Sequence, residues 1–146
     1  MLVATEHDES THTVIGCAMR VHSALGNRFP EVIYQSALAL EFRQTGLPFV
    51  REAHLPVYYL GTQIGARRVD FLVADKVLVE PKAVVILGPD TFARIINYLK
   101  AYSLKVGLLL NFGQASLIYR HFLRTSPNPG AQNPPQPRAQ RRGCNK

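Results

Sequence analysis

The stretch RRVDFLVADKVLVEPKA, Arg67–Ala83, constrains the fold more than any other part of the chain. Two runs rich in Val, Leu and Phe flank the short segment Ala74–Lys76, which is the pattern of two strands joined by a tight turn. The same runs carry three charged residues, Asp70, Glu80 and Lys82. Charged side chains are seldom fully buried unless they are paired. The segment therefore predicts a β-hairpin with charges set among its apolar side chains.

The length of the turn decides whether these charges meet. Side chains alternate across a strand, so Glu80 and Lys82 point to the same face. A three-residue loop, Ala74–Lys76, would pair Asp70 directly with Glu80 across the hairpin, so that the residue numbers of each opposed pair have an even sum. Asp70 would then lie on the same face as Glu80 and Lys82. A two-residue loop would turn Asp70 to the other face. The parity of the hairpin is thus a testable prediction.

Two carboxylates on one sheet face call for a compensating charge. Asp70 and Glu80 would repel one another, and burying them uncompensated costs several kcal/mol. A divalent cation removes that cost, and Mg²⁺ is commonly held by one or two carboxylates, water and substrate phosphate. Lys82 beside it would orient or help deprotonate a water, or offset charge on a phosphate. The alternative is a solvated face on which Lys82 simply pairs with a carboxylate, since short D…ExK patterns occur by chance.

The rest of the chain predicts an α/β fold. Apolar spacing and turn residues indicate helices over 13–26, 30–46 and 89–102, the last with Asp90 as N-cap. Strands are predicted within 49–65, at 106–112 and at 116–123. Pro81 has no N–H for a sheet ladder, so it predicts a bulge or a strand end beside Glu80.

Length and composition narrow the class of protein. A chain of 146 residues is one domain's worth. Its net charge of +7 fits a polyanionic partner such as nucleic acid, or serves solubility alone. Two cysteines are too few for a disulfide framework or a four-ligand zinc site. With no apolar span and an acidic beginning, the sequence favours a cytoplasmic protein without membrane contact.

The domain organisation follows from the same patterns. Residues 1–12 are polar and are expected to be a flexible N-terminus. The folded domain is expected over 13–124. Residues 125–146 are rich in Pro, Asn, Gln and Arg and lack apolar periodicity, which predicts a disordered tail.

Five stretches, in this order, resemble the small GxxExxY proteins of the PD-(D/E)XK nuclease superfamily: IGCAMRVHSALG, PEVIYQSALALEFRQTGL, LPVYYLG, RVDFLVADKVLVEPKAV and INYLKAYSLKVGLLLNFG. The resemblance runs from about residue 14 to about residue 123. It implies a restriction-endonuclease-like fold, a mixed sheet of about four core strands flanked by helices. It also implies a Mg²⁺- or Mn²⁺-dependent nuclease that hydrolyses phosphodiester bonds in DNA or RNA.

The resemblance also assigns roles to residues. Asp70 and Glu80 would be metal ligands and Lys82 the catalytic lysine. Glu31, the Glu of the family's name motif, would add a carboxylate from the second helix, with Tyr34 one turn later. Tyr34 is a candidate for substrate contact or site support, as are two residues of the third predicted helix, Arg94 and Tyr98.

Three positions depart from the family pattern. Arg28 stands where the name motif has its first Gly, Arg94 stands where a QxxxY pattern ending at Tyr98 has Gln, and Pro81 separates Glu80 from the lysine. These departures keep two alternatives open. The first is a catalytically inactive nuclease-fold module that binds nucleic acid or a protein partner. The second is a homo-oligomeric scaffold whose basic surface is incidental.

Overall fold

The computed structural model describes residues 6–124 of the chain. The first residues of the expected flexible N-terminus and the expected tail at 125–146 lie outside the described residues. The elements are α1 (Glu6–Leu25), α2 (Glu31–Gln44), β1 (Phe49–Tyr59), β2 (Thr62–Val73), β3 (Val77–Lys82), α3 (Pro89–Ala101), β4 (Val106–Asn111) and β5 (Ile118–Leu123). Among these described residues, no helix is long and apolar enough to cross a membrane.

The strands form one mixed sheet in the order β1-β2-β3-β4-β5. β3 and β4 are parallel and are connected through α3, whereas each of the other neighbouring pairs is antiparallel. α1 and α2 pack on one face of the sheet and α3 on the other. The predicted mixed α/β architecture with helices on both faces is therefore confirmed, with five strands in place of about four.

β4 lies between β3 and the edge strand β5, and all six of its residues are buried. Such a continuous apolar run is typical of a strand covered on both faces. A Cβ at Gly107 would lie 2.9 Å from Cγ2 of Ile95 in α3. Glycine at this position therefore lets α3 pack closely on β4, which fixes the helix that carries Arg94.

The β2–β3 hairpin has the predicted even parity. Val73 pairs with Val77 and Phe71 with Val79, so the loop is the three-residue segment Ala74–Lys76. Its first two residues take left-handed φ angles of 52° and 56°. Pairing between the two strands stops at Phe71 and Val79, and β2 continues away from β3 as the partner of β1 alone. The separation of the two strands opens a cleft in the sheet.

α1 begins seven residues earlier than the predicted helix. It includes residues 6–12, which the sequence placed in a flexible N-terminus. Thr11 is buried at 4% exposure, and the Thr13 hydroxyl donates to the Glu9 carbonyl at 3.0 Å. Acidic residues are favourable in the first turns of a helix because they face its positive end. The helix was not predicted over residues 6–12 because polar residues there interrupt the apolar spacing on which the prediction was based.

The other two helices lie where they were predicted, but their details differ. Pro30 is the N-cap of α2, not its first helical residue. Two apolar residues of α2, Ile33 and Leu40, are 40% and 61% exposed. The buried residues of α2 are instead Tyr34, Leu38, Ala39 and Phe42. Gly88 precedes α3 as its N-cap, so Asp90 lies within the first turn.

Of the two features predicted at Pro81, a bulge or a strand end, there is no bulge, and β3 ends one residue later at Lys82. β3 runs through Pro81 to Lys82 and keeps an unbroken parallel register with β4. The Lys82 carbonyl accepts a hydrogen bond from Phe112 N–H at 2.8 Å, so the backbone groups of Lys82 point toward β4. The backbone groups of successive residues in a strand point to opposite sides. The Pro81 nitrogen therefore points toward the side from which β2 has separated. The missing N–H costs no ladder hydrogen bond there.

Candidate active site

A polar pocket of about 210 Å³ opens where β2 separates from β3. Its lining residues are Glu31, Arg68, Val69, Asp70, Leu78, Glu80, Lys82, Arg94 and Tyr98. Six of the seven residues singled out from the sequence are among them, and Tyr34 is the exception. Residues separated by up to 67 positions along the chain thus share one pocket.

Four elements bring these side chains together. Asp70 and Glu80 are each one residue beyond the last paired positions of β2 and β3, and Lys82 follows two residues later on β3. Arg94 and Tyr98 come from α3, one helical turn apart. Glu31 enters from the first turn of α2. Acidic side chains therefore come from α2, β2 and β3, and cationic ones from β2, β3 and α3.

Glu80 is the centre of an ion-pair cluster. Arg94 Nη2 donates to Glu80 Oε1 at 2.5 Å, and Lys82 Nζ lies 3.5 Å from the same oxygen. The side chains of Glu80 and Lys82 are only 14% and 19% exposed, whereas that of Arg94 is 43% exposed. The lysine does pair with a carboxylate, as the structural alternative required. However, both side chains of the pair are mostly buried at the wall of a pocket, and not on a solvated hairpin face.

Asp70 has an unusually basic carboxyl group. Burial, followed by the charges of Glu80 and Glu31, raises its pKa from 3.8 to about 6, against the opposing effect of Lys82 and Arg94. The negative form of Asp70 is thus disfavoured despite two cations nearby. Such a carboxylate would be stabilised by a further positive charge placed between it and its acidic neighbours.

The donor set of the pocket fits a hard divalent cation. Carboxylate oxygens are the ligands that Mg²⁺ and Mn²⁺ favour, and Asp70 and Glu80 supply them at the pocket wall. Within residues 6–124, no group of three or more His, Cys, Asp or Glu side chains is arranged as a metal-binding cluster. Two carboxylates are sufficient for Mg²⁺ when water and phosphate complete its coordination. In the conformation described, Arg94 occupies one of the oxygens that such an ion would need.

Glu31 contributes negative charge to the pocket from α2. Its carboxylate raises the pKa of Asp70, and its Oε1 accepts a long hydrogen bond of 3.4 Å from Gln35 Nε2 one turn later. Glu31 is half-buried at the start of α2. An acidic residue is favourable at this helix end whether or not it also binds an ion.

Tyr34 lies in the core and not in the pocket. It is fully buried, and its ring stacks on Phe112 with centroids 4.6 Å apart. Its hydroxyl donates to the Gly26 carbonyl at 2.6 Å and accepts from Phe29 N–H at 3.2 Å. Tyr34 therefore ties the α1–α2 loop to the core just before Glu31. This is a supporting position in the core, and Tyr34 is not among the residues that line the pocket.

Arg68 is a pocket residue that the sequence analysis missed. It lies on β2 two residues before Asp70, and its guanidinium is 3.8 Å from the exposed carboxylate of Glu52. Arg68 and Asp70 are two residues apart, as Glu80 and Lys82 are, so strand alternation could have placed Arg68 on the same face as Asp70. The doublet of Arg67 and Arg68 was treated only as part of the overall charge.

Asn111 is a second missed residue, at the end of the apolar run of β4. It is fully buried and lies opposite Lys82 in the sheet. Its Oδ1 accepts from Val84 N–H at 3.1 Å and from Gly113 N–H at 3.0 Å, and its Nδ2 donates to the Val84 carbonyl at 2.9 Å. Asn111 thereby clamps the segment that follows Lys82. A polar residue closing an otherwise apolar strand was the available signal.

The three residues that depart from the family pattern lie in different environments. Arg28 is exposed in the α1–α2 loop and is not among the residues that line the pocket. Pro81 is buried in β3, and Arg94 is in direct contact with Glu80. Only the arginine on α3 therefore alters the chemistry of the pocket itself.

A family model described as the PD-(D/E)XK nuclease superfamily matches residues 8–122. The chain belongs to this superfamily. The match to the PD-(D/E)XK model begins within α1, in the part of the helix that the sequence had placed in a flexible segment, and ends in β5. Comparisons with curated proteins and with solved structures found no significant match.

Proposed function

We propose that this protein is a metal-dependent nuclease that hydrolyses phosphodiester bonds in DNA or RNA, and that it belongs to the GxxExxY group of its superfamily. The observation that carries the proposal is the shared pocket of Asp70, Glu80 and Lys82. Two carboxylates and a lysine in one pocket suit metal-assisted attack on a phosphodiester. The net charge of +7 suits a polyanionic substrate.

Each residue of the proposed site has a distinct role. Asp70 and Glu80 hold Mg²⁺ or Mn²⁺, which when bound polarises the phosphate and makes a bound water more acidic. Lys82, 3.5 Å from a Glu80 oxygen, orients the attacking water and offsets charge that develops on the phosphate. Glu31 adds negative charge from α2. Arg94 and Tyr98 line the substrate side of the pocket.

The pocket supplies positioning and charge, with no evident reader of base sequence. Contacts to phosphate position a nucleic acid, whereas contacts to base edges specify its sequence. The cationic residues among those lining the pocket are Arg68, Lys82 and Arg94. We therefore expect binding with little sequence preference at the cleavage site.

The Arg94–Glu80 contact favours a second candidate function. If the arginine permanently replaced the cation, the chain would be a catalytically inactive module that binds nucleic acid or a protein partner. Divalent-ion binding separates the two functions, because the inactive module requires no ion in the pocket.

Calorimetric titration with Mn²⁺ tests the proposal. The wild-type protein should bind the ion, and Asp70→Ala should lose the binding because a carboxylate ligand is gone. Glu41→Ala is the matched control, since Glu41 pairs with Arg20 on the α1–α2 surface and lies outside the pocket. Wild-type protein that binds no divalent ion, even with nucleic acid present, would establish the inactive module instead.

A further inference from the structure

We infer that Arg94 exchanges Glu80 for a substrate phosphate when a divalent cation enters the pocket, so that this arginine couples metal binding to phosphate binding. The inference rests on the proposed function, because it takes Asp70 and Glu80 as metal ligands. It adds a role for a residue that stands where the related motif has an uncharged Gln.

The contact between Arg94 and Glu80 excludes a cation from the same oxygen. Arg94 Nη2 lies 2.5 Å from Glu80 Oε1, with Lys82 Nζ 3.5 Å from that atom. A divalent ion coordinated by Oε1 would face two positive charges at close range, and their repulsion would weaken its binding. Binding of the ion therefore favours the departure of one of the two cations from Glu80.

The burial of the three side chains indicates which cation leaves. Lys82 is 19% exposed and extends from the same strand as Glu80, whereas Arg94 is 43% exposed on the neighbouring helix. Rotation of the Arg94 side chain toward solvent needs no movement of the backbone. Arg94 is thus the displaceable partner, and Lys82 remains beside Glu80.

A released Arg94 has a natural acceptor in the phosphodiester. Its guanidinium presents donors in a planar fork that matches two phosphate oxygens, and it keeps its charge at every relevant pH. The arginine lines the pocket that would hold this phosphate. Because couplings between ligands are reciprocal, a phosphate that draws Arg94 away must tighten metal binding, and the metal must tighten phosphate binding.

The first test is calorimetric Mn²⁺ titration of the wild type, Arg94→Ala and Arg68→Ala without nucleic acid. Arg94→Ala should bind Mn²⁺ about tenfold more tightly, the factor that corresponds to loss of one charge-assisted hydrogen bond that competes with the ion. Arg68→Ala is the matched control, because Arg68 lines the same pocket but pairs with Glu52. Its removal should change the affinity by about twofold or less through charge alone.

The second test measures the coupling with dimethyl phosphate, a phosphodiester that carries no base. Added at a fixed concentration, it should tighten Mn²⁺ binding to the wild type and to Arg68→Ala, but not to Arg94→Ala. In a parallel Mg²⁺ titration, the NMR signal of the Arg94 Nε–H, assigned by its loss in Arg94→Ala, should shift as the ion pair opens.

The possible failures are distinguishable. If Arg94→Ala binds Mn²⁺ no more tightly than Arg68→Ala while Asp70→Ala loses binding, the exchange is overturned and the proposed metal site stands. If neither the wild type nor either arginine variant binds Mn²⁺, with or without dimethyl phosphate, the proposed function is overturned and the exchange with it.

Discussion

Asp70 and Glu80 enter one pocket from adjacent strands, each one residue past the point where the strands stop pairing. This relationship depends on the three-residue loop Ala74–Lys76, which sets the parity of the hairpin. Strand separation then gives both carboxylates access to the pocket without breaking the sheet between β3 and β4. The arrangement brings like charges together, and its consequences are measurable.

Neutralising Asp70 should stabilise the metal-free protein near neutral pH. The folded state raises the pKa of Asp70 from 3.8 to about 6, so the fold binds this proton more tightly than the unfolded chain does. That contribution to stability is full below about pH 4 and is lost as the pH rises through about 6. Asp70→Asn should therefore gain about 1–2 kcal/mol at pH 7, after allowance for solvent screening of a partly exposed group.

Thermal melts in EDTA between pH 4 and 8 measure this effect. Glu9→Gln, a change at an exposed residue of α1, is the control for loss of one negative charge. A gain at pH 7 that is equal in both variants would show that net charge, and not the pocket, is responsible.

Replacing Lys82 should separate metal binding from turnover. An ammonium group beside a divalent ion opposes its binding, so Lys82→Ala should bind Mn²⁺ at least as tightly as the wild type. Turnover should fall by about 100-fold or more, since the water or the phosphate loses its positive partner. Calorimetry and a cleavage assay on the same preparation give both quantities. Equal loss of Mn²⁺ binding in Lys82→Ala and Asp70→Ala would contradict these roles.

Removing the Asn111 side chain should destabilise the fold and disturb the segment after Lys82. The amide makes three hydrogen bonds to the backbone of Val84 and Gly113. Asn111→Ala leaves these partly buried backbone groups without their partner, at an expected cost of about 2–4 kcal/mol. Urea denaturation measures the cost. Gln114→Ala is a suitable comparison, because its side chain makes one exposed hydrogen bond, to the carbonyl of Val85.

Binding of nucleic acid to the metal-free protein should depend steeply on salt. The pocket offers Lys82 and Arg94 to phosphate, and the release of counterions makes such binding weaken by about one decade or more over a few-fold rise in salt. Fluorescence anisotropy with a labelled oligonucleotide in EDTA gives the slope. An affinity that is independent of salt would exclude a mainly electrostatic interface.

Much of the site was accessible from the sequence because strands have a simple period. Alternation placed Glu80 and Lys82 on one face, and a three-residue loop was among the turns that the sequence allowed for Asp70. The same rule could have reached Arg68. These predictions require only local geometry and the identity of the turn.

Other features depend on contacts between distant segments. The aromatic stack of Tyr34 on Phe112 joins α2 to the end of β4, and no local pattern separates such a core tyrosine from one that contacts substrate. The choice of Glu80 as partner by Arg94 depends on how closely α3 packs on the sheet at Gly107. The bulge predicted at Pro81 is absent because its missing N–H matters only where the neighbouring strand is still paired, and β2 has already separated from β3 there.

The most direct measurement is a cleavage assay of the purified protein on single- and double-stranded DNA and RNA with Mg²⁺ or Mn²⁺, run beside EDTA and the variant Glu80→Ala. The proposed function predicts cleavage of at least one nucleic acid by the wild type with the metal, and none in EDTA or with Glu80→Ala. Cleavage that persists in EDTA or in Glu80→Ala would contradict a metal-dependent site at this pocket, as would wild-type protein that cleaves none of these substrates with either ion.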